Sequence, residues 1–231
     1  MTVTQTAPVT SQPEALPARP RLRGRFHQAA FFVAVPAAVV LVTSAHTTTA
    51  RVAAAIFALS VVGLYGVSAA YHRIQWSPPA LRRMKRLDHS MIFVLIAGTA
   101  TPLSLLVLPS PWSVAFLAGL WGGAAGGIGL KMLRIDGFRL VTGTLYIAMG
   151  WAALLLGPQL VRVLSPVSLS LVVLGGLLYT GGAVVLLRNK PDPAPATFGY
   201  HEIWHLMVIA GTACHYVVVL LLVLPARSAL G

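Results

Sequence analysis

Seven stretches of this chain, at roughly 26–45, 52–72, 88–108, 112–130, 139–160, 166–187 and 201–224, are apolar and nearly free of charge. Each is close to the ~20 residues that a helix needs to cross the hydrocarbon of a bilayer. Hydrocarbon offers no water to a backbone N–H or C=O, so a lone segment of this length has to satisfy those groups within itself, as a helix. No period-two alternation competes with that reading. The expected fold is an all-α integral membrane protein, a seven-transmembrane helix bundle over residues 21–231. Composition agrees, with 57% hydrophobic and 10% charged residues in 231, more apolar residue than a soluble domain of this size needs. Pro36 and Pro102 fall inside the runs, which membrane helices tolerate when neighbours re-satisfy the backbone. Residues 1–20, rich in Thr, Pro, Gln and Ala and without periodicity, read as a disordered tail. They lack the short apolar core of a secretory signal, and the basic cluster at 21–25 suits an uncleaved first helix.

Five acids stand against 17 Lys and Arg, a formal charge of +12. Nucleic acid is the reflex partner for such a charge, but here the basic residues lie between apolar runs, where membrane topology and anionic headgroups account for them better. Counted from Arg19 to Lys190, fourteen fall on the side shared by the tail and the second, fourth and sixth connections. Arg51, Arg162 and Arg227 fall on the other side. The bias predicts a cytoplasmic N-terminus and an outside C-terminus for a multi-pass protein of the cell membrane, the reverse of a G-protein-coupled receptor. Pro78 and Pro79 are expected to end the second helix, and the basic, amphipathic stretch 81–87 to be either a surface-lying segment or an ordinary basic loop. Small-residue pairs at Gly119/Gly123 and Gly122/Gly126, with Gly175, Gly176, Gly181 and Gly182, predict close helix approach within the bundle. The single cysteine, Cys214, reads as buried packing.

Ionisable residues inside such spans are costly, and partners or a cavity are expected for them. His201 and His205, four apart at the start of the seventh run, share one helix face. The literal string H-E-I-W-H is also the H-E-x-x-H of zinc peptidases, in which Glu202 would be the general base. Interfacial histidines without a ligand are the plainer alternative. Topology brings His72 at the end of the second run, and Asp88 at the start of the third, to the same side as the His pair. Ser68 lies one turn before His72. Three imidazoles with an open fourth position are the ligand set of a catalytic zinc site. Asp88 is then suited to take a proton from water there, with Ser68 available to a developing oxyanion. His46 and His89 read as interfacial, His215 as facing a cavity or packed, and His27 as undecided.

The strings S-A-A-Y-H at 68–72, L-D-H-S-M-I-F-V-L-I-A-G-T-A-T-P at 87–102 and H-E-I-W-H-L-M-V-I-A-G-T-A-C-H-Y at 201–216 resemble the bacterial hemolysin III branch of the progestin and adipoQ receptor family. The resemblance spans residues 21–225. It implies seven helices, a cytoplasmic N-terminus, and zinc on His72, His201 and His205 with Asp88 and Ser68 beside it. The wider superfamily includes alkaline ceramidases, so a zinc-dependent hydrolase of lipid amides at the cytoplasmic leaflet, serving membrane homeostasis, is the leading functional expectation. Membrane lipids would be its substrate or ligand, and nucleic acid no partner. A membrane-state sensor with structural zinc, a pore-forming hemolysin and a membrane peptidase are the alternatives. The family often carries an acid, an Asn and a His ahead of the first helix. Here Arg23 stands where the Asn would be, no acid precedes it, and His27 can match the His.

Overall fold

The structure, a computed structural model, describes residues 20–224. All of the expected tail but Pro20 lies outside the described residues. Eight α-helices follow in chain order: α1 (Arg25–Thr43), α2 (Thr48–Arg73), α3 (Pro78–Val107), α4 (Trp112–Leu133), α5 (Arg139–Trp151), α6 (Gly157–Val163), α7 (Pro166–Arg188) and α8 (Tyr200–Val223). A 3₁₀ turn, Ala152–Leu156, joins α5 to α6, and those three pieces together make the fifth crossing. The bundle thus has seven helical spans long and apolar enough to cross a membrane. Among the described residues the only β feature is an isolated bridge between Ala194 and Phe198.

Local sequence explains the helix starts. Thr47 accepts the Ala50 N–H ahead of α2, and Ser165 accepts the Ser168 N–H ahead of α7, two N-caps that satisfy otherwise unpaired donors. Pro78 and Pro79 occupy the first turn of α3 behind Ser77, where proline's missing N–H costs nothing. The prolines therefore start a helix as much as they end one. The basic stretch 81–87 is neither a loop nor a separate surface element: it is the opening of α3. With 30 residues that helix is about 45 Å long at 1.5 Å per residue, longer than the ~30 Å hydrocarbon, and its basic first turns project beyond it. There Lys85 Nζ donates to Asp136 Oδ1 at 2.6 Å, and the neighbouring ammonium holds the Asp136 carboxyl below the usual carboxylate range. The fifth crossing breaks just before Pro158, which lies in the first turn of α6 and cannot donate to the turn above.

Helix α3 is the most enclosed span. One core joins α1, α2, α3 and α8 through Leu41, Phe57, Leu64, Leu95 and Val219. A second joins α3 to α4 and α5 through Phe93, Leu120, Ala124 and Met149. A third, around Leu103, Leu160 and Val218, closes the far end. Phe32, Leu59, Trp112, Leu140 and Leu187 point outward and exposed, as a lipid-facing surface requires. The glycine expectations divide. Gly175 and Gly182 do lie hard against α8, a Cβ on Gly175 running into the His215 ring and to 3.2 Å from the Gly211 carbonyl oxygen. Gly119, Gly122 and Gly126, expected to pack inside the bundle, meet nothing within 4 Å. The inward face of α4 is instead Leu120, Ala124, Gly127 and Lys131, which rotates those three outward, while Gly123 does pack, a Cβ there lying 3.4 Å from the Met149 Sδ of α5.

Candidate metal centre

The end of α2 and the starts of α3 and α8 meet at the end of the bundle that carries most of the basic residues. The structure brings His72, from the last turn of α2, to His201 and His205 in the first turns of α8. One ring nitrogen from each lies within 4.8 Å of the other two. His72 Nε2 and His201 Nε2 are 3.2 Å apart. Zinc–nitrogen bonds of ~2.0–2.1 Å at tetrahedral angles would separate two ligand nitrogens by about 3.3 Å. A hydrogen bond between two neutral imidazoles would span a similar distance, but it leaves His205 unexplained. His205 is 1% exposed, and neither of its ring nitrogens has a partner, a cost that natural interiors avoid. Three neutral nitrogen donors, one of them orphaned, fit a zinc ion.

Asp88 is not in the imidazole cluster. It is buried on α3, with Ser68 of α2 beside its carboxylate. Ser68 is one turn below His72, which places the carboxylate against the helix that carries a ligand candidate. On its other side Asp88 Oδ2 lies 3.5 Å from His89 Nδ1, which donates to the Lys85 carbonyl oxygen at 2.8 Å.

Glu202 has a different occupation from the one H-E-x-x-H suggests. It is fully buried. Its Oε1 accepts from Arg23 Nε at 2.7 Å and its Oε2 from the Gly199 N–H at 2.9 Å. Gly199 is the N-cap of α8 and Glu202 its third helical residue, so the carboxylate does the work of a capping-box acid. Both oxygens are committed, which removes the geometry of a peptidase base. His215 donates through Nδ1 to the Gly211 carbonyl at 2.9 Å and stacks on Tyr179 with ring centroids 5.5 Å apart. It is a packed residue. His46 is exposed.

The sequence reading left Arg23 and His27 without a role. Both line the cluster: Arg23 through Glu202, and His27 by lying flat on His205 with centroids 3.8 Å apart and planes 13° apart. The signal for Arg23 was present in G-Y-H-E at 199–202, a capping acid whose second oxygen needs a donor. Nothing local marks the partner of His27, which is at the other end of the chain.

A family model described as haemolysin-III related matches residues 17–216. Hemolysin-3 of Bacillus cereus is 35% identical over 205 residues, covering 87% of this chain and 90% of that protein. The Hemolysin-3 homolog of Bacillus subtilis (strain 168) is 34% identical over 165 residues, 71% of this chain and 74% of that protein. The human monocyte to macrophage differentiation factor is 26% identical over 170 residues, 72% of this chain and 68% of that protein. With a matching family model over most of its length and two relatives above 30% identity, this multi-pass membrane protein belongs to the haemolysin-III-related family.

Proposed function

We propose that the protein is a zinc-dependent hydrolase of lipid amides, working at the cytoplasmic leaflet and serving membrane homeostasis. The observation that carries the reading is the orphaned, buried His205 beside His72 and His201, three imidazoles from two helices converging within 4.8 Å. These three residues would hold the ion. A zinc ion there supplies Lewis-acid polarisation of a carbonyl and lowers the pKa of water to about 7. The chain's own residues supply the rest. Asp88 takes the proton of the attacking water and returns it to the departing amine nitrogen. Ser68, beside that carboxylate, is placed to aim it, a different use of the hydroxyl from the oxyanion contact expected from the sequence. The basic first turns of α3, with Arg82, Arg83 and Arg86, attract anionic headgroups to the same end.

The test is metal and product measured together. Purified wild-type protein in lipid nanodiscs should carry one zinc per chain and release fatty acid from at least one member of a panel of N-acyl lipids. Metal without release from any lipid would leave zinc as a brace between α2 and α8 and defeat the hydrolase. Absence of metal from protein purified without chelator would defeat both.

A further inference from the structure

The segment ahead of α1 is built onto the histidine cluster from three directions. The Arg21 and Leu22 N–H groups donate to the Ala196 and Thr197 carbonyl oxygens at 3.0 and 3.2 Å. Arg23, with a side chain 20% exposed, forms its ion pair with the fully buried Glu202. Gly24 has φ 77°, and a Cβ there would stand 2.5 Å from the Cβ of His72. That conformation and that closeness both demand glycine. The turn then delivers His27 onto the face of His205, with the Tyr65 ring 5.1 Å from that of His27.

Metal-binding histidines are normally held in plane by a hydrogen bond from the nitrogen that does not bind the metal. His205 has no such bond: neither of its nitrogens is partnered. Its plane has to be set by packing, and the ring parallel to it at van der Waals distance is His27. His27 is 2% exposed, and neither of its own nitrogens has a partner, so what it offers is its flat face. We infer that His27 is a positioning residue that fixes the plane of His205 for the metal, and that the Arg23–Glu202 ion pair clamps it there. This inference rests on the zinc reading above. Removing such outer-shell support at other sites costs 10–100-fold in metal affinity.

The test uses the full chain in nanodiscs, with zinc affinity from chelator competition, the visible spectrum of the cobalt-substituted protein, and the melting temperature without metal. His27→Ala and Arg23→Ala should each weaken zinc about 10–100-fold and alter the cobalt spectrum. His27→Phe, which keeps a flat ring and discards both nitrogens, should restore affinity to within a few-fold of wild type. His27→Leu, which fills the space without a flat face and serves should the alanine variant not fold, should behave as alanine does. Unchanged affinity and spectrum in His27→Ala or His27→Leu would overturn the inference, as would a lowered metal-free melting temperature with affinity intact, since that is a purely structural role. A phenylalanine variant as weak as alanine would overturn it too, because the nitrogens and not the face would then matter. Wild type that binds no zinc would sink the metal reading itself, a result distinct from all of these.

Discussion

Each ionisable residue at the basic end of the bundle has a separable job, and substitutions should separate them. His72→Ala should remove most of the zinc, because two remaining imidazoles hold the ion poorly and, among the described residues, no further ligand group joins the cluster. Asp88→Asn should leave zinc bound, since Asp88 is outside the imidazole group, and should lower fatty-acid release by ~10²–10⁴-fold as the loss of a general base does. Zinc content by atomic absorption, with release measured on the same preparation, checks both; release from Asp88→Asn equal to wild type rules out its role as the base. The i,i+4 spacing of His201 and His205, and the ends at which His72 and Asp88 sit, made this grouping legible from sequence. Glu202 was ambiguous because H-E-x-x-H and the capping pattern G-x-x-E share the same acid. Which of the two applies depends on what fills its oxygens, and Arg23 is too far along the chain for that to be read.

The helices show the same division. Apolar runs announced the spans, but hydropathy does not record which side of a helix faces its neighbours. The glycines of α4 and α7 looked alike in sequence, yet α7 presses Gly175 against α8 while Gly122 faces outward. Gly175→Val should therefore force α7 from α8 and destabilise the protein by ~1–3 kcal/mol, the usual cost of overpacking, whereas Gly122→Val should leave the melting temperature nearly unchanged. Thermal melts of the two variants in the same detergent decide it, and equal melting temperatures would mean the α7–α8 crossing is looser than described. The start of α3 was misplaced for a related reason. Two prolines in a row read as a stop, but they occupy the first turn of α3, where a missing N–H costs nothing. The break in the fifth crossing was hidden because Ala152–Leu156 is as apolar as the helix around it.

At the scale of the whole molecule, the histidine cluster lies at the end bearing the basic segments, and the Lys/Arg bias predicts that this end faces the cytoplasm. On a Cys214→Ala background, Ser110→Cys, in the exposed connection between α3 and α4, should react with a membrane-impermeant maleimide added to intact cells. Ser77→Cys, in the exposed connection before α3, should react only after permeabilisation. Labelling of position 77 in intact cells would invert the topology and move the proposed chemistry to the outer leaflet. The number of spans and their order could be read from the chain. The docking of α1 and the turn before it onto α8 could not, because it joins segments from opposite ends of the sequence.

That closure has a consequence for the order of events during synthesis. His72 is made 129 residues before His201, and the turn at Arg21–Gly24 has its docking partners at Ala196, Thr197 and Glu202. Six spans must be inserted while the Arg21–Gly24 turn and His72 wait without their partners. The seventh span supplies two of the three imidazoles and the acid that fastens the Arg21–Gly24 turn. A nascent chain halted after α7 would therefore be membrane-embedded but would lack two of the three imidazoles proposed to hold the metal.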